Sequence, residues 1–292
     1  MLKYKKTQGI FAMKIIVTGS KGQLGSDVVA QLNKNGVQSI EADLPEFDIT
    51  DAAAVEAFIA ESNADGVIHC AAYTNVDIAE NENKLCRKVN YNGTRNLAVS
   101  CQKHGLKFLY ISTDYVFSGE GTEPFETDSP KLPCNFYGKS KLEGEKAVEE
   151  ICDRYFIVRI SWVFGENGKN FVKTMLRLAN ERDEISVVCD QIGSPTYTKD
   201  LAKLICDMIA TDKYGVYHAT NEGYCSWAEF AKATMEYSGK ATKIIPIKSS
   251  EYRSVAVRPA NSRLSKNSLD VNGFDRLPSW QDALERFLKN IN

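Results

Sequence analysis

Tyr137 and Lys141 stand four residues apart in the run Phe136-Tyr137-Gly138-Lys139-Ser140-Lys141. On a helix that spacing puts both side chains on one face, a phenol beside an ammonium. Asn135 is a suitable N-cap and the residues after Ser140 favour helix, so a helix is predicted from Phe136. Free tyrosine ionises near pH ~10, and an adjacent positive charge lowers that value. The pair is therefore a candidate proton donor near neutrality. Thr113 adds a hydroxyl at the end of the apolar run Phe108-Leu109-Tyr110-Ile111-Ser112. At the carboxyl end of a parallel strand it would face a ligand, able to hydrogen-bond a carbonyl and share a proton with Tyr137. On an isolated surface helix the same Tyr and Lys would be merely a solvated pair, so their meaning depends on what the rest of the chain brings to them.

A cofactor site is the first such addition. Gly19-Ser20-Lys21-Gly22-Gln23-Leu24-Gly25 directly follows the β-branched run Lys14-Ile15-Ile16-Val17-Thr18 and opens a helical pattern with Val28, Val29 and Leu32, closed by Gly36. Glycines after a strand let backbone approach a pyrophosphate, whose charge the helix N-terminus stabilises. The spacing Gly19-x-x-Gly22-x-x-Gly25 departs from the usual Gly-x-Gly-x-x-Gly. The second strand ends in Glu41-Ala42-Asp43. An acid there can accept hydrogen bonds from ribose hydroxyls and repels a 2'-phosphate, so Asp43 favours NAD(H). Lys21, inside the glycine loop, could meet a 2'-phosphate and leaves NADP(H) open.

The elements that must hold these residues alternate. Strands are predicted at 14–18, 37–42, 66–70, 108–112 and 156–160, with helices at 51–62 and 84–104 besides those after the glycine loop and at Tyr137. That order implies an α/β fold, a Rossmann-type doubly wound parallel sheet covered by helices on both faces. Beyond it the pattern loosens into a smaller, mostly C-terminal α+β substrate domain. Residues 13–163 and 198–222 are assigned to the cofactor domain and 164–197 and 223–292 to the substrate domain, with Met1–Ala12 read as a leader. A long loop from Ser118 to Asn135, containing Pro124, Pro130 and Pro133, is expected to help cover the site.

Composition narrows the classes of function. The 292 residues carry a net charge of -2 with no basic cluster, giving no electrostatic case for nucleic acid. The eight cysteines include no Cys-x-x-Cys pair and the three histidines are far apart, a poor set for a metal. Dispersed cysteines in an enzyme-sized chain fit a reducing compartment. No apolar run nears the ~18 residues of a membrane span. A cytoplasmic protein is expected, with no membrane partner.

Together these features resemble the extended short-chain dehydrogenase/reductase superfamily, on the glycine loop, Asp48-Ile49, Cys70-Ala71-Ala72, Asn90-Tyr91-Asn92-Gly93-Thr94 and the Thr113/Tyr137/Lys141 set. Within it the chain resembles the dTDP-4-dehydrorhamnose reductase family. That resemblance rests on Ala71–Asp77, Ser112–Phe117, Arg159–Gly165, Asn170–Met175, Asp190–Thr196 and Arg258–Ser262. It implies reduction of a nucleotide-linked 4-keto-6-deoxysugar, with Tyr137 protonating the ketone oxygen, Lys141 holding the nicotinamide ribose and lowering the Tyr137 pKa, and Thr113 aligning the carbonyl. Gly19, Gly22, Gln23, Leu24, Gly25, Asp43, Asp48, Ile49, Ala71, Ala72 and Tyr73 would contact cofactor. Thr74, Val76, Asp114, Tyr115 and Trp162 would line the sugar and nucleotide pocket. Arg258 could pair with the substrate diphosphate, or form an ordinary salt bridge.

Two positions depart from the family pattern. Asp114 stands where some members carry a second hydroxyl residue, and Cys70 replaces the more usual Asn. A sugar-nucleotide dehydratase on this fold would need a glutamate after Asp114, where Tyr115 stands. An epimerase remains open, as does a non-catalytic role, since the regulatory beta subunit of methionine adenosyltransferase is similar to this family. The partner implied is a small nucleotide sugar, and a homodimer is open.

Overall fold

The computed structural model describes residues 13–291, so the expected leader lies outside the described residues. Six parallel strands form the central sheet. In chain order they are β1 (Lys14–Thr18), β2 (Gln38–Ala42), β3 (Gly66–His69), β4 (Lys107–Thr113), β5 (Tyr155–Ile160) and the strand Gly215–His218. In space the order is β2-β1-β3-β4-β5 and then Gly215–His218. The β-branched and aromatic residues of these strands suit a pleated surface buried on both sides. Alternation divides them: Ile15, Val17 and Leu109 pack toward α1 (Gln23–Lys34) and the helix Thr198–Ile209. Ile16, Val67, Phe108 and Tyr110 pack toward α2 (Ala52–Ser62) and the helix Thr94–His104. The chain leaves β1 for β2 on one side and β3 on the other. A doubly wound sheet opens a crevice at the carboxyl ends where the order reverses in this way. The expected α/β fold is the one observed.

A second hydrophobic cluster lies beyond the sheet, built on Phe164, Tyr197, Phe230, Trp280 and Phe287. The parallel pair Glu184–Val188 and Lys243–Ile247 flanks it.

The helix Phe136–Ile151 begins as predicted, its first turn capped by Asn135, whose Oδ1 accepts the Gly138 N–H at 2.8 Å. It is tied to the sheet by a buried ion pair. Arg159 of β5 donates from Nε and Nη2 to the two Glu145 carboxylate oxygens, each at 2.8 Å. The Ser112 hydroxyl at the end of β4 donates to the same carboxylate at 2.5 Å. Arg159 Nη1 donates to the Thr127 carbonyl at 2.8 Å and approaches His218 Nε2 at 3.3 Å. Burial and the Arg159 charge hold His218 neutral, pulling its pKa down to about 3. One pair thus joins the helix, three strands and a loop.

The helical region expected at 84–104 is present as one continuous run, α-helical except over Lys88–Gly93, which is π-helical and carries the buried Asn90. One expectation needs correction. The Ser118–Asn135 loop does not cover the cleft: among the described lining residues none comes from it. Its backbone is used up elsewhere, with Phe125 N–H donating to the Arg263 carbonyl at 2.9 Å, Ser265 N–H to Phe125 at 2.9 Å and Asn261 N–H to Gly119 at 2.8 Å. Phe125 also stacks on Phe117 at 4.5 Å.

Removing one partner of a buried ion pair leaves the other uncompensated, at a cost of about 3–5 kcal/mol. Glu145→Ala should therefore lower the unfolding free energy in urea by about that amount. A midpoint equal to wild type would show that this pair does not hold the helix to the sheet.

Candidate functional site

A cleft of about 1270 Å³ opens over the carboxyl ends of the strands. One end is made by the glycine loop. Gly19 has φ +64°, and a Cβ there would lie 2.8 Å from the Ala71 backbone. A Cβ on Gly25 would collide with the Gly19 carbonyl. Gly19, Gly22, Gln23 and Leu24 line the cleft, whereas Gly25 does not and serves the turn instead. Gly22, the N-cap of α1, supplies no side-chain hydrogen bond, so the first N–H groups of that helix are left for an anion. A bare backbone cradle at an uncapped helix N-terminus fits the pyrophosphate of a dinucleotide.

Asp43 also faces the cleft, and it braces the loop: its carboxylate accepts the N–H groups of Lys21 and Leu44, each at 2.8 Å. Lys21 Nζ lies 3.1 Å from the Glu46 carboxylate, both exposed. Asp48 caps Thr50 N–H at 2.8 Å, and Ile49 is buried against Gly93, where a Cβ would come within 2.6 Å. The segment Ala71–Tyr73 crosses the floor. Asn90, named in the sequence only as part of the run that carries the superfamily resemblance and given no role there, clamps it: its side-chain amide accepts Tyr73 N–H at 2.8 Å and donates to the Tyr73 carbonyl at 3.0 Å. Asn90 is 1% exposed. An amide buried in a helix otherwise packed on apolar groups was the available signal.

Thr113, Tyr137 and Lys141 lie together on the cleft wall. Lys141 is 2% exposed; its Nζ donates to the Ile111 carbonyl at 2.7 Å and sits 4.1 Å from the Tyr110 ring centroid. Burial pulls its pKa down to about 7, against the opposing pull of Glu145. Burial likewise pushes the Tyr137 phenol above its ordinary value, with the Thr113 hydroxyl opposing the rise. The lowering of Tyr137 by Lys141 expected from their spacing is therefore not observed. Withdrawing both groups from water disfavours the phenolate and the ammonium alike. Burial thus favours the protonated phenol and the uncharged amine.

Farther along, Asp114 is buried, and its Oδ1 accepts from the Thr113 hydroxyl at 3.0 Å. Its Oδ2 has no well-formed hydrogen bond. Burial raises this carboxyl to about 6, with Ser262 and Thr113 opposing the shift. Tyr115 meets the Tyr137 ring edge-on at 5.6 Å, and its hydroxyl accepts from Arg258 Nη1 at 3.3 Å. Arg258 also pairs with Asp77, Nη2 to Oδ2 at 2.7 Å, so the salt bridge allowed for at this position is present. Thr74 and Val76 line the same end.

Trp162 stands at φ +50°, a left-handed conformation uncommon for a bulky residue. Its indole stacks on Trp227 at 3.7 Å and 14°, and Trp227, Phe171 and Phe230 line the cleft beside it. Those three aromatics were not anticipated, because they reach the site from the second cluster rather than from strand ends. Among the described residues no group of three His, Cys, Asp or Glu could hold a metal.

A family model described as the RmlD substrate binding domain matches residues 13–292. The spore coat polysaccharide biosynthesis protein SpsK of Bacillus subtilis is 41% identical over 94% of this chain and 97% of its own length. The dTDP-4-dehydrorhamnose reductase of Streptomyces griseus is 39% identical over 92% of this chain and 91% of its own. The crystal structure of a dTDP-4-dehydrorhamnose reductase from Bacillus anthracis, in complex with NADP, superposes with a TM-score of 0.94 at 45% identity. The match covers 96% of this chain and 100% of that one.

Gly193 has the Trp162 indole against it, and a Cβ there would lie 2.9 Å from both Trp162 Cε2 and Ser262 Cβ. Overpacking of this kind costs about 1–3 kcal/mol. Gly193→Ala should lose stability in that range and weaken the near-ultraviolet circular dichroism of the stacked indoles while the far-ultraviolet spectrum stays unchanged. An unaltered near-ultraviolet spectrum would show that Gly193 does not set the ring.

Proposed function

The chain belongs to the RmlD substrate binding domain family, and from that premise we propose that it is an NAD(P)H-dependent reductase of a nucleotide sugar. Its reaction converts the C4 ketone of dTDP-4-dehydro-L-rhamnose to the alcohol of dTDP-L-rhamnose, in nucleotide-sugar and polysaccharide biosynthesis. The observation that carries this reading is the placement of Thr113, Tyr137 and Lys141 on the wall of the cleft whose other end is the glycine cradle.

A reduced nicotinamide bound there supplies the hydride to the carbonyl carbon. Tyr137 gives the phenolic proton to the oxygen. An alkoxide is more basic than a phenolate, so this transfer runs downhill even from the raised phenol, and the rise keeps Tyr137 loaded. Thr113 aligns the carbonyl by hydrogen bonding. Lys141 holds the ribose and, in its charged form, stabilises the phenolate left behind. Asp114 lines the sugar side of the cleft, and the Trp162–Trp227 stack gives the ring an apolar wall. Arg258, shared between Asp77 and Tyr115, faces the nucleotide end. We assign the substrate side to 164–197 and 223–292 and the cofactor side to 13–163 and 198–222. A cytoplasmic setting agrees with eight unpaired cysteines, and no helix of the described residues is long and apolar enough to cross a membrane.

Both cofactors are accepted in this reading, with Asp43 weighting the choice toward NADH. Its oxygens keep lone pairs for ribose hydroxyls beyond the two backbone bonds they accept. NADPH would draw Lys21 from Glu46 onto the 2'-phosphate. Lys21→Ala should then lower kcat/KM for NADPH about tenfold and for NADH less than about twofold. Equal losses with both would remove Lys21 from the 2'-phosphate.

Purified protein should oxidise NADH or NADPH in the presence of the 4-keto sugar nucleotide, and Tyr137→Phe should lose about 10²- to 10⁴-fold in kcat. Equal slow rates for wild type and Tyr137→Phe would sink the mechanism and favour a non-catalytic role.

A further inference from the structure

Among the described residues four cationic side chains line the cleft: Lys21, Lys141, Lys169 and Arg258. Three are engaged. Lys21 lies 3.1 Å from Glu46, Arg258 lies 2.7 Å from Asp77, and Lys141 is buried on the Ile111 carbonyl. Among the described residues Lys169 makes no salt bridge, and it is exposed. The segment that carries it is stitched to the glycine-loop end of α1. Asn167 Nδ2 donates to the Ser26 hydroxyl at 2.8 Å and Asn170 Nδ2 to Gln23 Oε1 at 2.9 Å. Gly168, at φ +70°, comes close to the Gln23 side chain. Lys173 closes the turn from behind, its ammonium donating to the Glu166 and Gly168 carbonyls.

We propose that Lys169 is a diphosphate-binding residue that closes over the dinucleotide from the side opposite the glycine loop. The assignment rests on the reading of the cleft as a nicotinamide site. A dinucleotide brings two negative charges to the uncapped end of α1, where the loop offers N–H groups but no free cation. An ammonium carried by a segment hydrogen-bonded to the first turn of α1 completes the cradle with little ordering cost, since the backbone that presents it is already fixed. The same chemistry exists in the diphosphate of a nucleotide sugar. The stitches to Gln23 and Ser26 favour the cofactor, because they hold the Lys169 segment against the first turn of α1, where the glycine loop ends.

The test is direct binding of NADH and NADPH, without sugar, followed by quenching of intrinsic tryptophan fluorescence. Lys169→Gln should raise the Kd for both cofactors about five- to tenfold, Lys169→Arg should restore most of it, and the melting temperature should not change. Raising salt from about 0.05 to 0.5 M should weaken wild type more than Lys169→Gln, as expected for a screened ion contact. ADP should compete less well in the variant, and adenosine equally well in both. Unchanged cofactor Kd values, or a loss confined to the KM for the nucleotide sugar, would overturn the assignment. Wild-type protein that binds neither cofactor would instead sink the functional reading itself, so the two failures are distinct.

Discussion

The buried pair of Glu145 and Arg159 is the constraint on which the site depends. Neither side chain reaches solvent, and together they lock the proton-donor helix to β5 while Ser112 ties the end of β4 to the same carboxylate. Thr113 follows Ser112 directly, and Lys141 lies one helical turn before Glu145. The hydroxyl and the ammonium are therefore placed by a single charged contact beneath them. Taking two charges out of water is costly, and an apolar substitute of equal volume would often be as stable. What the ionic version adds is direction: a bidentate guanidinium fixes the rotation and height of the helix, which apolar packing leaves freer.

The same withdrawal from water sets the chemistry above the pair. A phenol that holds its proton and an amine close to neutrality are opposite to what spacing on an isolated helix suggests. Both follow from one low-dielectric wall. The site thus stores its proton on the tyrosine and makes the lysine's charge costly to hold.

Much of this was legible in the chain because the relevant signals are local. A β-branched run ending in glycines, an acid at the end of the second strand and a Tyr-x-x-x-Lys after an Asn cap each read correctly as elements, and they converge in the cleft. Family resemblance added Trp162 and Arg258, which no periodicity singles out. What escaped was set by distant contacts. The inward turn of Asn90 depends on a π-helical segment and on the backbone of Tyr73, fully 17 residues away. The long loop looked like a cover because its prolines signal irregular chain, yet its partners lie in the C-terminal segment. Gly25 lies outside the cleft lining, where a Cβ would collide with the Gly19 carbonyl, a packing need that the pattern alone does not reveal. Trp227 and Phe230 come from a cluster whose packing the alternating pattern does not describe.

The left-handed backbone at Trp162 has a consequence for how such a chain can change over time. Sparse backbone regions cost of order 1–3 kcal/mol and persist only where neighbours enforce them. Selection for stability alone would drift position 162 toward glycine, which occupies that region freely, and would remove one of the two neighbours that crowd a side chain at Gly193, leaving Ser262. The tryptophan and the glycine facing it are therefore linked, the ring fitting only while position 193 stays small. Their joint survival would mark a lineage still under selection for what the cleft holds, and their joint loss one that has kept the fold for another purpose.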